Sequence, residues 1–478
     1  MRLSAHDASF LYGETASGPM HSVVFSILDG SVSRDQYLKF YADRLHLVPR
    51  LRQKLAFVPF NLAHPRWIDD QDFDLGNHIR GHEVSANTKL DRAIEIGLEL
   101  GEPLLDRARP LWLHYVIENV EGKTLIVQMG HHAFMDGATA VAMSTVLTDP
   151  EPDTEAPEAP EKWRPESAPS SFELWQEAAT ENAQSGFGQV QQLAEGAQSL
   201  VSLGSKGASL LQRMSKPVLQ APWNASLVGP KRSMARFDLK LSKFKPVRTA
   251  LGGTLNDIAV TIVAEAAARY LAKKKEEVDD QYLRLMCPVN VRGEDDDPLA
   301  MGGNRVSAMF PLVKAEPMPI DERYELVRTE LGDIKNRDEA SILDQMQQLQ
   351  PNVPPIAMAQ TLSVGTQWDP TVAAARAPLP VVPGLEGSRP QQLGFNFTCT
   401  NVPGPNWKQY IAGCRVENSF GTLMLGGNLG FGASVGSYNG RLNFVFTADP
   451  RLMSDVEMFR DLASQALDEL RTHAEDAQ

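Results

Sequence analysis

The chain has 478 residues, a net charge of −14 and 42% hydrophobic side chains, an ordinary globular composition with room for two or three domains at roughly 100–200 residues each. Acidity of this size argues against nucleic acid as the main partner, because phosphate binding needs a concentrated basic field. Three cysteines (Cys287, Cys399, Cys414), none in a C-x-x-C pair, cannot build a disulfide framework and suggest small buried side chains in a reducing compartment.

The chain opens MRLSAHDASFLYGETASG, with Asp7 and Glu14 where a secretory signal needs an unbroken apolar stretch, so a cytoplasmic protein is expected. Ser22 to Leu28 and Thr124 to Met129 read as strands and Arg34 to Leu47 as a helix, an alternation that means α/β. Asp149 to Pro169, DPEPDTEAPEAPEKWRPESAP, alternates proline with acid and reads as a linker or exposed arm. From Phe172 to Met214, small or apolar residues recur at helical spacing (Leu193, Ala197, Leu200, Gly204, Gly207, Leu211, Met214), with Lys206, Arg213 and Lys216 as a basic end. Such a stretch either lies on a lipid surface or packs on its own protein.

A second α/β half begins near Arg236. Thr254 followed by Asp257 is a capping-box-like start, and Leu255, Ile258, Ile262, Ala266 and Tyr270 then fall on one helical face. Ile258 to Ala268 is the most apolar stretch, but Glu265 interrupts it, and no window reaches the roughly 18 apolar residues of a spanning helix. Any membrane association is then peripheral. Gly421 to Phe446 is strand-like, with Tyr438-Asn439-Gly440-Arg441 as a tight hairpin. The last helix is expected to start with Ser454 and Glu457 as a capping box and to bury Val456, Phe459, Leu462, Ala466, Leu467 and Leu470. The expected organisation is therefore 1–148, a linker and helical connection over 149–235, and 236–478.

The chemistry concentrates in Gly130-His131-His132-Ala133-Phe134-Met135-Asp136-Gly137, between a strand and a small-residue helix pattern. Such a loop can turn one imidazole toward a cleft while the carboxylate points inward and holds the loop. Histidine titrates near neutrality, so a neutral ring can take a proton from an attacking hydroxyl and later return one to a leaving group. A bare His-His pair is more often structural, and His6, His21, His46, His64, His78, His82, His114 and His473 are read that way. Gly432-Ala-Ser434-Val-Gly436 fits the G-x-S-x-G pattern of serine hydrolases, but a strand-like segment follows it where the nucleophile elbow needs a helix.

HHAFMDG resembles HHxxxDG, the signature of the CoA-dependent acyltransferases that include chloramphenicol acetyltransferase and peptide-synthetase condensation domains. Within that superfamily the chain is most similar to bacterial wax ester synthase/acyl-CoA:diacylglycerol acyltransferases. The similarity is carried by LSAHDASFLYGETASGPMH, Pro110-Leu111-Trp112, Asn256-Asp257, Pro288-Val289-Asn290-Val291-Arg292, Gly303-Asn304-Arg305 and Asn401-Val402-Pro403-Gly404-Pro405, which run in order across nearly the whole chain.

The resemblance implies a two-domain α/β fold of the chloramphenicol acetyltransferase kind, with a channel between the halves. It implies transfer of a long-chain acyl group from acyl-CoA to a fatty alcohol or a diacylglycerol, at the inner membrane face or on lipid inclusions, with no metal and no permanently bound cofactor. His132 would be the general base, His131 its support, and Asp136 a structural carboxylate with Arg292 or, failing that, Arg305 as partner. Asn401 and neighbouring backbone amides are candidate oxyanion donors and Gly404 a candidate substrate contact, although Val-Pro-Gly-Pro also suits a rigid turn. Asn256 is a candidate substrate contact with an equally plain reading in the first turn of a helix, and Phe134 could line the acceptor path. The rival readings are a relative that uses a carrier-protein thioester or another acceptor, and a non-catalytic protein that binds lipid inclusions.

Overall fold

The computed structural model describes residues 1–159, 163–183, 210, 212–293, 296–297, 299, 304–348 and 394–477. Of the expected helical pattern between Phe172 and Met214, Leu193, Ala197, Leu200, Gly204, Lys206, Gly207 and Leu211 lie outside these residues, as does Gly303. The chain runs α1 (Ala5–Gly13), β1 (His21–Asp29), α2 (Arg34–Ala42), β2 (Gln53–Ala56), β3 (Arg66–Asp69), β4 (Ile79–His82), α3 (Leu90–Leu100), β5 (Trp112–Val120), β6 (Lys123–His131) and α4 (Gly137–Val146). After a helix α5 over residues 171–183 come β7 (Ser233–Lys240), α6 (Lys245–Leu251), α7 (Leu255–Lys273), β8 (Tyr282–Asn290), β9 (Val306–Met309), β10 (Leu312–Lys314), α8 (Ile320–Asn336) and α9 (Glu339–Gln348). The described chain closes with β11 (Phe397–Val402), β12 (Tyr410–Ile411), β13 (Cys414–Gly421), β14 (Phe431–Tyr438), β15 (Arg441–Ala448) and a final helix α10 (Val456–Asp476).

Two sheets result. The first has the order β12-β13-β1-β6-β5-β4 and the second β10-β8-β11-β14-β15-β7, with β9 beside β8 and β2-β3 as a separate ribbon. In the first sheet β1 and β6 are antiparallel, with His21 opposite His131 and Leu28 opposite Thr124. Phe25 and Val127 lie against α3, which comes this close because position 97 is glycine. A Cβ there would stand 2.5 Å from the Phe25 ring.

The second core is centred on α7. Its residues Ile258 to Ala268 are buried on every side, not along one stripe, because the helix lies between the sheet, α8 and α10. Alanine at 264, 266, 267 and 268 lets those neighbours approach, and Phe397, Phe431, Phe446 and Phe459 fill the space on the sheet side. Glu265, wholly buried, is met by Arg323 at 2.8 Å and Arg269 at 2.8 Å. The charge that broke the apolar run is thus neutralised inside the core.

Residues 410–421, beyond the expected boundary at 236, belong to the first sheet, where β13 pairs antiparallel with β1. The chain then returns to the second sheet as β14. The sheets are joined where β13 meets β15 by a reciprocal amide pair, Asn418 and Asn443, with bonds of 2.9 and 3.1 Å.

Two expected boundaries move. The helix from Arg34, capped by a Ser33/Gln36 capping box, ends at Ala42 and not near Leu47. Beyond it Arg44 turns inward to a buried bidentate pair with Asp149 at 2.7 and 2.9 Å, and Pro49 follows. The last helix has no Ser454/Glu457 capping box. Its N-cap is Asp455, whose carboxylate bonds the Tyr270 hydroxyl (2.7 Å) and Lys274 Nζ (2.6 Å) instead of the helix amides.

Candidate active site

β6 delivers His131 and His132 to the end of the first sheet, and five residues later α4 begins with Asp136 as its N-cap. The Asp136 Oδ1 accepts the Thr139 amide at 2.8 Å, which closes the loop into the helix. Its Oδ2 lies 2.8 Å from Arg292 of the segment after β8, with both side chains almost wholly buried. Arg305 reaches the same oxygen only through its backbone N–H, at 3.3 Å, and its side chain is exposed. Burial pushes the Asp136 pKa up, but the Thr139 amide and Arg292 outweigh it and hold the carboxylate below its ordinary range.

His131 is fully buried. Its Nδ1 accepts the Ala133 amide at 3.0 Å, so the ring proton must sit on Nε2, which lies 3.3 Å from Oε1 of Glu14. Glu14, at the C-cap of α1, also receives the Met20 amide at 3.0 Å and Arg107 at 2.9 Å. Burial raises its pKa, but the His131 ring, Arg107 and the Met20 amide together win and hold it at about 2.

His132 is half-buried. Its amide donates to the Met20 carbonyl at 2.8 Å, its carbonyl accepts Nδ2 of Asn304 at 2.7 Å, and the Phe10 ring stacks on the imidazole at 4.6 Å between centroids. Nδ1 is buried without a hydrogen-bond partner among the described residues. Burial lowers the pKa to about 4, with the neighbouring His131 and His6 acting the same way and Asp136 opposing them. The ring is therefore neutral at physiological pH. Asn304 is itself placed by Asp7, whose Oδ1 accepts its amide at 2.9 Å and whose Oδ2 accepts the Ser4 hydroxyl at 2.8 Å.

α1 therefore contributes more than the sequence reading assigned to it. Asp7, Phe10 and Glu14 are spaced three and four residues apart, the helical repeat that puts them on one face, and that face meets the histidine loop. In the sequence Asp7 and Glu14 stand out only as charges that break an apolar stretch, and the i, i+3, i+7 spacing was the available signal. His6, read as structural, also comes to this site, edge-on to Phe10 at 5.4 Å, with burial lowering its pKa.

The other expected residues fall as follows. Phe134 is buried edge-on against Trp67 at 5.9 Å, inside the first core. Asn256 lies in the first turn of α7, where Thr254 and Asp257 form the reciprocal cap. Asn401 pairs with Val435 in the second sheet, and the neighbouring Val402 side chain abuts Gly137 of the histidine motif. Gly404 donates its amide to the Ser437 hydroxyl at 3.1 Å, so that amide already has an acceptor. Ser434 of the G-x-S-x-G pattern is mid-strand in β14 and donates to the Gly421 carbonyl at 2.8 Å; no helix follows it. Trp112 packs face to face with His78 and donates Nε1 to Leu51 O at 2.8 Å, a scaffold position. Among the described residues no cluster of histidine, cysteine or carboxylate side chains could hold a metal.

A strand-delivered histidine pair, a capped Asp-Gly turn and two sheets exchanging a hairpin define the HHxxxDG acyltransferase architecture. The wax ester synthase/diacylglycerol acyltransferase from Marinobacter aquaeolei VT8 has the same fold, with a TM-score of 0.66 and 19% identity over 99% of this chain and 100% of that one. The starter condensation domain of rhizomide synthetase, solved with C8-CoA and Leu-SNAC, aligns with a TM-score of 0.57 and 14% identity over 100% and 94% of the two chains. Residues 3–259 match the wax ester synthase/diacylglycerol acyltransferase catalytic domain and residues 302–471 the C-terminal domain of the same family. The chain belongs to the wax ester synthase/diacylglycerol acyltransferase family. Relatives named as diacylglycerol O-acyltransferases include one from Mycobacterium tuberculosis strain CDC 1551, 29% identical over 99% of this chain and 91% of its own length. Another, from strain H37Rv, is 27% identical over 95% and 92%.

Proposed function

We propose that the protein transfers a long-chain acyl group from acyl-CoA to the hydroxyl of a fatty alcohol or a diacylglycerol, by direct attack and with His132 as the general base. The observation that carries the reading is the His132 ring, neutral and half-buried, stacked on Phe10, with the backbone of His132 held by the Met20 carbonyl and the Asn304 side chain. In this reading the ring takes the proton of the acceptor hydroxyl as its oxygen attacks the thioester carbonyl. The tetrahedral intermediate collapses by breaking the C–S bond, and the same proton goes to the departing thiolate. In this reading the buried Nδ1 carries the ring proton and the Nε2 lone pair meets the hydroxyl.

His131 is a positioning residue, buried between Glu14 and the Ala133 amide. Asp136 and Arg292 hold the loop. The developing oxyanion needs hydrogen-bond donors, and the Asn401 side chain is the candidate that carries no side-chain hydrogen bond among the described residues. The acceptors named for the relatives are water-insoluble, so contact with a membrane face or lipid inclusion from the cytoplasm belongs to the proposal. No helix among the described residues is long and apolar enough to cross a membrane.

The test is purified protein with a labelled long-chain acyl-CoA, offered hexadecanol and diacylglycerol in competition. Product ester with release of free CoA supports the reading, and the ratio of products assigns the acceptor. Transfer from a carrier-protein thioester but not from acyl-CoA would replace the donor. Lipid binding unaltered in His132→Ala, with no ester formed by the unsubstituted protein, would leave a binding protein.

A further inference from the structure

Where the β8–β9 pair ends, two of its residues reach the histidine loop. Val291 donates its amide to the Arg305 carbonyl at 3.1 Å, and next to that bond the two strand ends grip the loop at both of its ends. Arg292 meets the Asp136 carboxylate at 2.8 Å, and Asn304 donates Nδ2 to the His132 carbonyl at 2.7 Å. The first grip is an ion pair between buried groups. The second is one neutral hydrogen bond, but it acts on the peptide unit from which the His132 ring projects, a ring whose buried Nδ1 has no partner among the described residues.

Asn304 lies outside the strand, since β9 begins at Val306, and is held by α1. Its amide donates to Asp7 Oδ1 at 2.9 Å, and Asp7 Oδ2 accepts the Ser4 hydroxyl at 2.8 Å. Asp7 is only 4% exposed and makes no ion pair among the described residues. Burial raises its pKa, with the Asn304 amide and the Ser4 hydroxyl opposing. A carboxylate kept out of water on hydrogen bonds alone is costly. Capping α1 does not demand it, because that cap is the Asp7 amide donated to Ser4 Oγ at 3.0 Å. What the buried carboxylate does provide is a fixed place for Asn304.

We propose that Asp7 and Asn304 form a positioning clasp for the base: Asp7 sets Asn304, and Asn304 fixes the His132 peptide so that Nε2 meets the acceptor hydroxyl in one orientation. The inference rests on the reading of His132 as general base and adds what aims it. Neither residue touches the reacting atoms. With Phe10 stacked on the ring, α1 sets the ring plane through one residue and the backbone through another. A general base must stand within hydrogen-bond reach of the proton it takes, and a misplacement of about 1 Å can cost ~10²-fold in rate.

The experiment measures transfer from a long-chain acyl-CoA to hexadecanol and to diacylglycerol by Asn304→Asp, Asn304→Ala, Asp7→Asn and Asp7→Ala. Asn304→Asp keeps the size but has no N–H to give the His132 carbonyl. It should lower kcat at least as far as Asn304→Ala does, by about 10- to 100-fold, with KM for acyl-CoA nearly unchanged. Asp7→Asn keeps an oxygen for the Asn304 amide and should recover most of what Asp7→Ala loses. Asp7→Ala/Asn304→Ala should lose no more than the worse of its two single variants, since both break one chain of contacts. The pH profile separates aiming from folding. A loosened ring regains water, so in Asn304→Ala the acid limb of kcat/KM should move from about 4 toward the ordinary 6.5, a shift that lost stability does not produce. The groups acting on that ring, Asp136 and His131 of its own loop and His6 of α1, with Arg292 paired to Asp136, are all kept in this variant. Wild-type kcat in Asn304→Asp, a raised KM with kcat intact, a fall in kcat with the acid limb unmoved, or additive losses in the double variant would overturn the clasp. If Asn304→Asp does not fold, Asn304→Ala and the two Asp7 variants decide by the same readings. If His132→Ala is inactive while the Asn304 and Asp7 variants match the wild type, the clasp alone falls. If the wild type forms no ester, or His132→Ala still forms it, the base and its clasp fall together.

Discussion

At the scale of single residues, the two histidines divide their work because their surroundings differ. His131 is sealed inside the protein, its Nδ1 bonded to the Ala133 amide and its Nε2 3.3 Å from Glu14, whereas His132 has a stacked face and a partly open environment. His132→Ala should therefore lower transfer by on the order of 10²- to 10⁴-fold with an unchanged circular dichroism spectrum. Because the His132 ring loses its proton at about 4, the basic form is fully present through neutrality. The kcat/KM profile should rise from pH 3 to about 5 and show no step near 6.5; a rate that falls by half between pH 7 and 6 would contradict the assignment. Glu14 is a positioning residue in this scheme, fixing the His131 proton on Nε2. Glu14→Gln keeps the size and removes the charge, so it should lower kcat with KM for acyl-CoA nearly unchanged, and Glu14→Asp should recover part of the loss. A loss of thermal stability with kcat intact would reduce Glu14 to a structural role.

At the scale of elements, the histidine loop is held by α4 at one end and by Arg292 from the other half of the chain. Asp136→Ala removes the helix cap, worth ~1 kcal/mol, and leaves the Arg292 charge buried, a change that costs ~3–5 kcal/mol. A fall in melting temperature of many degrees is expected together with lost activity. Glycines separate in the same way by what a methyl group would meet. Gly404→Ala drives a Cβ into the Ser437 carbonyl, rigid backbone 2.2 Å away, whereas Gly130→Ala meets only the mobile end of Met135 at 2.7 Å. The first should destabilise the protein or displace the loop, and the second should be tolerated; thermal melts of the two side by side decide it. Where elements are fixed by local rules, the sequence reading and the fold agree. Asn439 and Gly440 both take positive φ as a tight Asn-Gly hairpin needs, and Thr254 and Asp257 cap α7 reciprocally. The reading failed at Ser454 because Asp455 is drawn off by Tyr270 and Lys274, residues nearly 200 positions away that no local signal reveals.

At the scale of the whole molecule, the exchange of β12-β13 into the first sheet ties the two cores together through Asn418 and Asn443. The described halves should then unfold as one transition in calorimetry, and two resolved transitions would show them independent. Acid should destabilise the protein in a defined order. The His132 pKa is lowered in the fold, so the unfolded chain binds more protons below its ordinary 6.5; this contribution is complete above pH 6.5 and is lost as pH falls toward about 4. The Glu14 carboxyl is held at about 2 against an ordinary 4.5, so its contribution is complete above about 4.5 and decays between there and 2. Urea midpoints should accordingly rise with pH across this range, and a midpoint flat from pH 3 to 6.5 would contradict both.

The strand-loop-helix setting of His132, the α/β alternation and the hairpin could be read from the sequence because each depends on neighbours within a few residues, where backbone geometry and side-chain periodicity act. The resemblance of HHAFMDG and its companion motifs supplied the family and the role expected of each motif. Only the tertiary structure could bring Glu14 to His131, Asn304 to the His132 carbonyl and Arg292 to Asp136. Those contacts join residues more than 100 positions apart, and which charge answers which is settled by burial, since a carboxylate taken out of water must find a partner wherever the fold supplies one.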